Sequence, residues 1–264
     1  MLGDLLQRVL NRWRGRRAIR PGADSAGVTA DLRENQAFSD KQDALLMLLG
    51  GATPSAKHFD YERVAWIMAA VSSADYMLQH MIDAPNRINR GPLLELALEK
   101  CKVSGLTMEF GVYRGKSLRA IARCCTQEVH GFDSFEGLPQ DWSFFQKKGR
   151  FSLGGQAPHF DEPNIRLHQG YFEQTLPLFL AQYPEPARFV HIDCDLYKST
   201  RTVLELLRPR IVSGTVIVFD EYLNYPGWQQ HEYKAFQEFV AQTGIGYRYL
   251  GYASAYYAVA VQVV

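Results

Sequence analysis

The chain has 264 residues, an apolar fraction of 47%, a charged fraction of 22% and a formal net charge of +1, which suits one large α/β domain with a modest N-terminal addition. The near-neutral balance excludes a whole-molecule attraction to nucleic acid or to acidic lipid. Cys101, Cys124, Cys125 and Cys194 show neither a paired metal spacing nor a secreted disulfide framework, and read as reduced thiols of a cytoplasmic protein.

Leu2, Leu5, Leu6, Val9, Leu10 and Trp13 recur at helical spacing, with Arg8, Arg12, Arg14, Arg16, Arg17 and Arg20 on the polar side and beyond. This basic amphipathic segment suits either an anionic membrane surface or an arm packed on its own domain or on a second subunit. Asp4, Gln7 and Asn11 interrupt any signal-peptide core. No apolar run approaches the roughly 20 residues that span a bilayer, so no integral membrane segment is expected. Residues 21–33 read as a linker, and residues 34–104 as a helical region that offers a lid or a homo-oligomer interface. Ser39 caps one predicted helix, which Gly50-Gly51 ends. Asp60 caps a second, with Val64, Ile67, Met68, Val71 and Met77 as its apolar stripe. A third runs from about Pro92 to Lys100.

From Gly105 the pattern changes to strands alternating with helices. Strands are predicted at Leu106–Met108, Val129–Asp133, Ile165–His168, Arg188–Asp193 and Thr215–Phe219. Helices are predicted at Ser117–Cys125, Glu173–Gln182, Ser199–Leu207 and Glu232–Gln242, with an irregular insertion from Trp142 to Pro163. Two last strands, Tyr247–Leu250 and Tyr256–Val263, are separated by too few residues for anything but an antiparallel hairpin. Residues 105–264 are therefore expected to form a Rossmann-like, mostly parallel seven-stranded sheet with an antiparallel last strand and helices on both faces.

In such a sheet ligands bind outside the carboxyl ends of the strands. Acids fall at those ends repeatedly: Glu109, Asp133, the pair Asp193 and Asp195, and Asp220-Glu221. The first strand–helix turn, Glu109-Phe110-Gly111-Val112-Tyr113-Arg114-Gly115-Lys116-Ser117, lets backbone approach a ligand and aims helix-start N–H groups at it. It is neither the dinucleotide fingerprint nor a P-loop. Asp133 ends the second strand, where an acid accepts the hydroxyls of an adenosine ribose. An adenosine site without a pyrophosphate cradle points to S-adenosylmethionine.

The runs MEFGVYRGKSL, GFDSFEGLPQDW, LHQGYFEQTLP, HIDCDLYKST and VIVFDEY, in that order, resemble the macrocin and mycinamicin O-methyltransferases. Those are class I methyltransferases acting on sugar hydroxyls of natural products. The resemblance covers about residues 105–263. It implies that Glu109, Gly111 and Ser117, with Tyr113 and Gly115 of the same turn, border the methionine part of the cofactor. Asp133 would bind the ribose, Ser134 and Phe135 would lie beside the adenine, and Gln169 and Gly170 would close the adenine side. It also implies a Mg²⁺ held by Asp193, Asp220 and Glu221, although the family usually has two aspartates where this chain has Asp220-Glu221. Hard oxygen ligands suit that ion, which would gather two substrate hydroxyls and lower the pKa of the one attacked. Asp193 would also border the cofactor and take the proton as general base. Without a metal, His231 becomes the candidate base.

Tyr222, Asn224, Tyr225, Trp228 and Tyr233 are candidates for an acceptor wall that stacks on a sugar. Trp142, Phe144 and Phe145 are candidates for a lid. The expected activity is O-methylation of a sugar or glycosylated small molecule. Its rivals are methylation of a catechol-like diol and a cofactor-binding partner protein that has lost catalysis. No basic residues interleave with the aromatics as a nucleic-acid platform requires.

Overall fold

The computed structural model describes residues 61–143 and 146–264. The basic N-terminal helix, the linker, the helix capped by Ser39, the cap at Asp60 and the Phe144-Phe145 part of the lid lie outside the described residues. Ala65–Val264 form one compact unit.

Among the described residues two helices precede the sheet, α1 (Tyr61–His80) and α2 (Arg90–Lys100). The alternating part then runs β1 (Leu106–Phe110), α3 (Lys116–Arg123), β2 (Val129–Asp133), β3 (Ile165–Gln169), α4 (Phe172–Gln182), β4 (Ala187–Ile192), α5 (Tyr197–Leu207), β5 (Val216–Phe219) and α6 (Glu232–Thr243). It closes with the hairpin β6 (Tyr247–Tyr252) and β7 (Val259–Val263). The strand order is β3-β2-β1-β4-β5-β7-β6. The strands from β3 to β5 pair in parallel, and β7 runs antiparallel to both β5 and β6. The expected seven-stranded Rossmann-like sheet is thus observed. No helix among the described residues is long and apolar enough to cross a membrane.

Side-chain alternation divides the core into two layers. Met108 and Phe110 of β1, Val190 and Ile192 of β4, and Ile217 and Phe219 of β5 pack with Leu176, Val203 and Phe236 of α4, α5 and α6. On the other face, Phe189, Val216 and Val218 pack with Leu93 and Ala97 of α2 and with Leu118 and Ile121 of α3. The same alternation sends Glu109 and His191 toward the α2–α3 side, where they are direct neighbours in the β1–β4 register. Asp220, the residue after β5, follows the parity of Val218 and joins them. A polar column therefore runs through the apolar layer at the carboxyl ends of the central strands.

The last strand begins at Val259 rather than at the expected Tyr256. Ala253 N–H donates to Ala258 O and Tyr256 N–H to Ala253 O, which makes residues 253–258 a turn. Tyr256 and Tyr257 leave the sheet as a result.

Candidate functional site

Chain direction reverses between β1 and β4, since β1 leads outward to β2 and β3 while β4 leads the other way to β5. Above that switch point lies a cleft of about 800 Å³, the place where open α/β sheets bind ligands. Its floor and walls include Gly111, Tyr113, Ser117, Asp133, Ser134 and Gly170 on one side. Arg90, Asp193, Asp195, Asp220, Glu221, Tyr256 and Tyr257 line the other.

The first side is built around one carboxylate. Asp133 Oδ2 accepts N–H bonds from Val112 and Tyr113, each 2.8 Å, and Oδ1 accepts from Phe135 N–H at 2.8 Å. Tyr113 and Phe135 sit at φ of 48° and 59°, left-handed conformations that cost a non-glycine residue on the order of 1–3 kcal/mol. The bonds to Asp133 hold both. At Gly111 φ is 91°, and a Cβ would fall 1.7 Å from the Asp193 carbonyl oxygen, so only glycine lets β1 and β4 approach here. Gly115, at φ 74°, starts α3 with no side-chain cap, and Lys116 and Ser117 of that uncapped first turn line the cleft.

The other side is crowded with acids. His191 is fully buried, with Nδ1 2.9 Å from Glu109 Oε2 and Nε2 3.4 Å from Asp220 Oδ1. Burial opposes its charge, but hydrogen bonds to Asp220 and Glu109 outweigh burial and raise its pKa to about 10. Arg90 Nη1 lies 2.6 Å from Asp220 Oδ2 and 3.2 Å from Asp193 Oδ2. Burial alone would raise the pKa of Asp220, yet His191 and Arg90 hold it below the usual carboxylate range. Asp193 is pushed well up, by burial and then by the Asp220 charge. Burial, followed by Asp220 and Asp133, lifts Asp195 to about 7. Glu221 and Glu232 are raised well above normal, chiefly by burial. Glu221 Oε2 and Glu232 Oε1 have no hydrogen-bond partner among the described residues.

The cleft thus brings together Gly111, Tyr113, Ser117, Asp133, Ser134, Gly170, Asp193, Asp220 and Glu221 from the residues picked out in the sequence. Others stand back from it. Glu109 lies fully buried against His191. A Cβ on Gly115 would lie 2.2 Å from the Phe160 ring. Phe135 is buried, and Gln169 donates from Nε2 to Gly155 O at 2.7 Å. His231 is half-buried against Trp142 and Tyr225, which pushes its pKa down.

The expected acceptor wall is corrected. Tyr222, Tyr225 and Trp228 are core residues, and Trp228 Nε1 donates to Ser72 Oγ at 3.1 Å on α1. Tyr233 packs edge-on against Trp228, and Asn224 Nδ2 donates to Tyr256 O. None of the five lines the cleft. The aromatics that do are Tyr113, Trp142, Phe151, Tyr171, Phe172, Tyr256 and Tyr257. Arg90 was not singled out from the sequence, because an arginine before a helix resembles any surface charge. His191 carried a clearer signal, an imidazole inside an otherwise apolar buried strand.

A divalent cation on this acid cluster does not fit the arrangement. Ligand atoms of His191, Asp193 and Asp220 come within 4.8 Å of one another. However, both ring nitrogens of His191 are engaged by carboxylates, and Arg90 already bridges Asp193 and Asp220.

A doubly wound sheet of this order, with a glycine turn after β1 and an acid ending β2, has the class I methyltransferase architecture. Residues 108–222 match a family described as a methyltransferase domain. It is 29% identical over 143 residues to the 8-demethyl-8-(2,3-dimethoxy-alpha-L-rhamnosyl)-tetracenomycin-C 4'-O-methyltransferase of Streptomyces olivaceus, a match over 46% of this chain and 54% of that protein. The chain thus spans about half the length of that relative. Among solved structures, a calicheamicin methyltransferase shares the fold at a TM-score of 0.54 and 21% identity, over 93% of this chain and 99% of that one. The O-methyltransferase NovP does so at 0.50 and 20%, over 76% of this chain and 98% of that one.

Proposed function

We propose that the chain is an S-adenosylmethionine-dependent O-methyltransferase acting on a hydroxyl of a sugar or glycosylated small molecule. One observation carries the reading: a single cleft joins a preorganised turn that suits a nucleoside to an acidic wall suited to a cationic centre and a proton. The family match and the rhamnosyl O-methyltransferase relative support it.

An ionised carboxylate offers about four lone-pair sites. Backbone N–H groups take three on Asp133, which leaves room for one ribose hydroxyl. The first turn of α3 directs N–H groups and the positive end of its dipole toward the cofactor carboxylate. S-adenosylmethionine, when bound, supplies a methyl group on a positively charged sulfur. The acids of the β4 and β5 ends lower the cost of holding that charge. Asp193 faces the cleft with Oδ2 fixed by Arg90, and its Oδ1 takes the hydroxyl proton. Tyr256, Tyr257 and Trp142 line the cleft and would give the acceptor an aromatic surface. Methyl transfer is an in-line displacement, so alignment of oxygen and methyl is the main task.

Transfer of a labelled methyl group from S-adenosylmethionine to rhamnoside acceptors tests the reading, together with calorimetry against S-adenosylhomocysteine and NAD. Tight binding of the first ligand, none of the second, and a labelled ether product are expected. An absence of nucleoside binding, or binding unaltered by Asp133→Ala, overturns the assignment.

A further inference from the structure

The two aspartates at the ends of β4 and β5 face each other across a cation that the chain itself supplies. Arg90 is the first residue of α2, and its Nη1 contacts Asp220 Oδ2 at 2.6 Å and Asp193 Oδ2 at 3.2 Å. The guanidinium also lies over the Tyr256 ring, 5.4 Å from its centroid. Tyr256 Oη donates to Asp220 Oδ2 at 3.2 Å, and Asp220 Oδ1 meets His191 Nε2 at 3.4 Å. Both oxygens of Asp220 are therefore committed before any ligand arrives.

Magnesium requires near-octahedral oxygen ligands at about 2.0–2.1 Å. Between these carboxylates it would displace Arg90, or else sit beside it. At about 4 Å, a single and a double positive charge repel by several kcal/mol even at an effective dielectric constant near 20. A guanidinium, by contrast, is always charged, is planar, and matches carboxylate oxygens with little loss of side-chain freedom.

We propose that Arg90 takes, as a built-in guanidinium, the place of a divalent cation between Asp193 and Asp220, and that Asp193 thereby removes the acceptor proton without metal. The chemistry rests on the methyl-transfer reading, whereas the geometry does not. In that step the acceptor O–H bond breaks and its proton passes to Asp193. The oxygen lone pair forms the new C–O bond, the S–C bond breaks, and its electrons stay on sulfur, which becomes a neutral thioether. Arg90 touches neither methyl nor acceptor in this scheme; it is a positioning residue for Asp193.

Magnesium chloride titrated into the full-length protein by calorimetry, with and without S-adenosylhomocysteine, tests the idea. The wild-type chain is expected to show no one-to-one uptake and no loss of turnover in excess EDTA. Arg90→Ala vacates the position; it should gain a one-to-one magnesium isotherm that the double variant Arg90→Ala/Asp220→Asn lacks. Its turnover should fall on the order of 100-fold and recover in part with magnesium, while Arg90→Lys, which keeps the charge, should still take up no metal. One-to-one magnesium binding by the wild-type chain that Asp220→Asn abolishes overturns the proposal. That wild-type titration decides even if Arg90→Ala does not fold. Failure of every acceptor to become labelled would sink the methyl-transfer reading and leave the magnesium result standing.

Discussion

The two sides of the cleft use carboxylates in opposite ways. On the β1–β2 side one acid, Asp133, is matched by three backbone N–H groups and, among the described residues, has no second acid in hydrogen-bond contact. On the β4–β5 side Asp193 and Asp220 share Arg90 and Asp220 also meets His191, while Asp195, Glu221 and Glu232 crowd beside them and two of these acids carry an oxygen with no partner among the described residues. Backbone donors are fixed and uncharged, so the first side is rigid and changes little when a ligand binds. The second side is short of positive charge, and it should respond to a proton, to a cationic ligand, or to the loss of either of its cations. Rigid recognition and responsive chemistry are thereby divided between two halves of one sheet.

The contrast breaks if removing an acid costs the same on both sides. Asp220→Ala should produce the largest effect, because it removes the one carboxylate that contacts both cations and leaves Arg90 with Asp193 and His191 with Glu109. Loss of one partner from a buried ion pair costs about 3–5 kcal/mol, measurable from the shift in urea midpoint. A cost below about 1 kcal/mol would mean that the cluster is not held by Asp220. Asp133→Ala should cost less, about 2 kcal/mol, because water at the cleft rim can reach some of the N–H groups it leaves behind. Its clearer signature is affinity: binding of S-adenosylhomocysteine should weaken about tenfold through loss of a charge-assisted bond. Equal destabilisation by the two variants would erase the distinction between the sides.

The two sides also differed in how far the sequence disclosed them. The turn from Glu109 to Ser117 and the acid ending β2 were legible because glycine at a strand end and an acid at a fixed place in an alternating pattern have few other causes. Strand and helix spacing likewise specified the sheet, since apolar runs such as Val216–Phe219 are continuous only when both faces are buried. Arg90 was not legible. It reaches Asp193 and Asp220 across separations of 103 and 130 residues, and nothing in its own neighbourhood distinguishes it from an exposed charge. The stretch from Tyr222 to Tyr233 misled for the opposite reason. Its aromatics are polar at one end, so they suit a sugar site, but Tyr222 Oη finds partners in Tyr249 and Gln237 and can be buried in the core. Tyr256 and Tyr257 looked like strand residues because alternation cannot reveal where a hairpin turn begins.

Dependence on pH sharpens the comparison without altering any contact. His191 has a folded pKa raised to about 10, so its contribution is complete below its unfolded value near 6.5 and is lost as pH rises toward 10. Asp195 is raised to about 7. The folded state binds its proton more tightly than the unfolded chain does, and stability falls as pH climbs from about 4 to 7. His130, packed against His168 on β3, is lowered to about 4 by burial and then by His168; it acts in the reverse sense, losing stability as pH falls from 6.5 to 4. Asp193, Glu221 and Glu232 are raised in the same sense as Asp195, so together they outweigh His130, and thermal midpoints should decline as pH rises toward 9. Asp195→Asn should be at least as stable as the wild type at pH 8, since it removes a buried charge facing Asp220 and Asp133. A rise in the midpoint between pH 7 and 9, or a less stable Asp195→Asn at pH 8, would show that the acidic wall is not short of positive charge.

The smallest expected effect separates the two ways Tyr256 acts on the same pair of charges. Its hydroxyl donates to Asp220 Oδ2, while its ring lies under the Arg90 guanidinium. Tyr256→Phe removes the first and keeps the second. The hydrogen bond goes to a charged acceptor, but at 3.2 Å it is long, so about 1 kcal/mol is the expected loss. Tyr256→Leu removes the ring as well and should add about 0.5–1 kcal/mol for the lost cation–π contact. If Tyr256→Phe is silent, Asp220 is held by Arg90 and His191 alone. If instead Tyr256→Phe costs as much as Tyr256→Leu, the ring contributes nothing to holding Arg90. The guanidinium then keeps its place solely through the carboxylates, and the responsive side of the cleft reduces to a balance of charges.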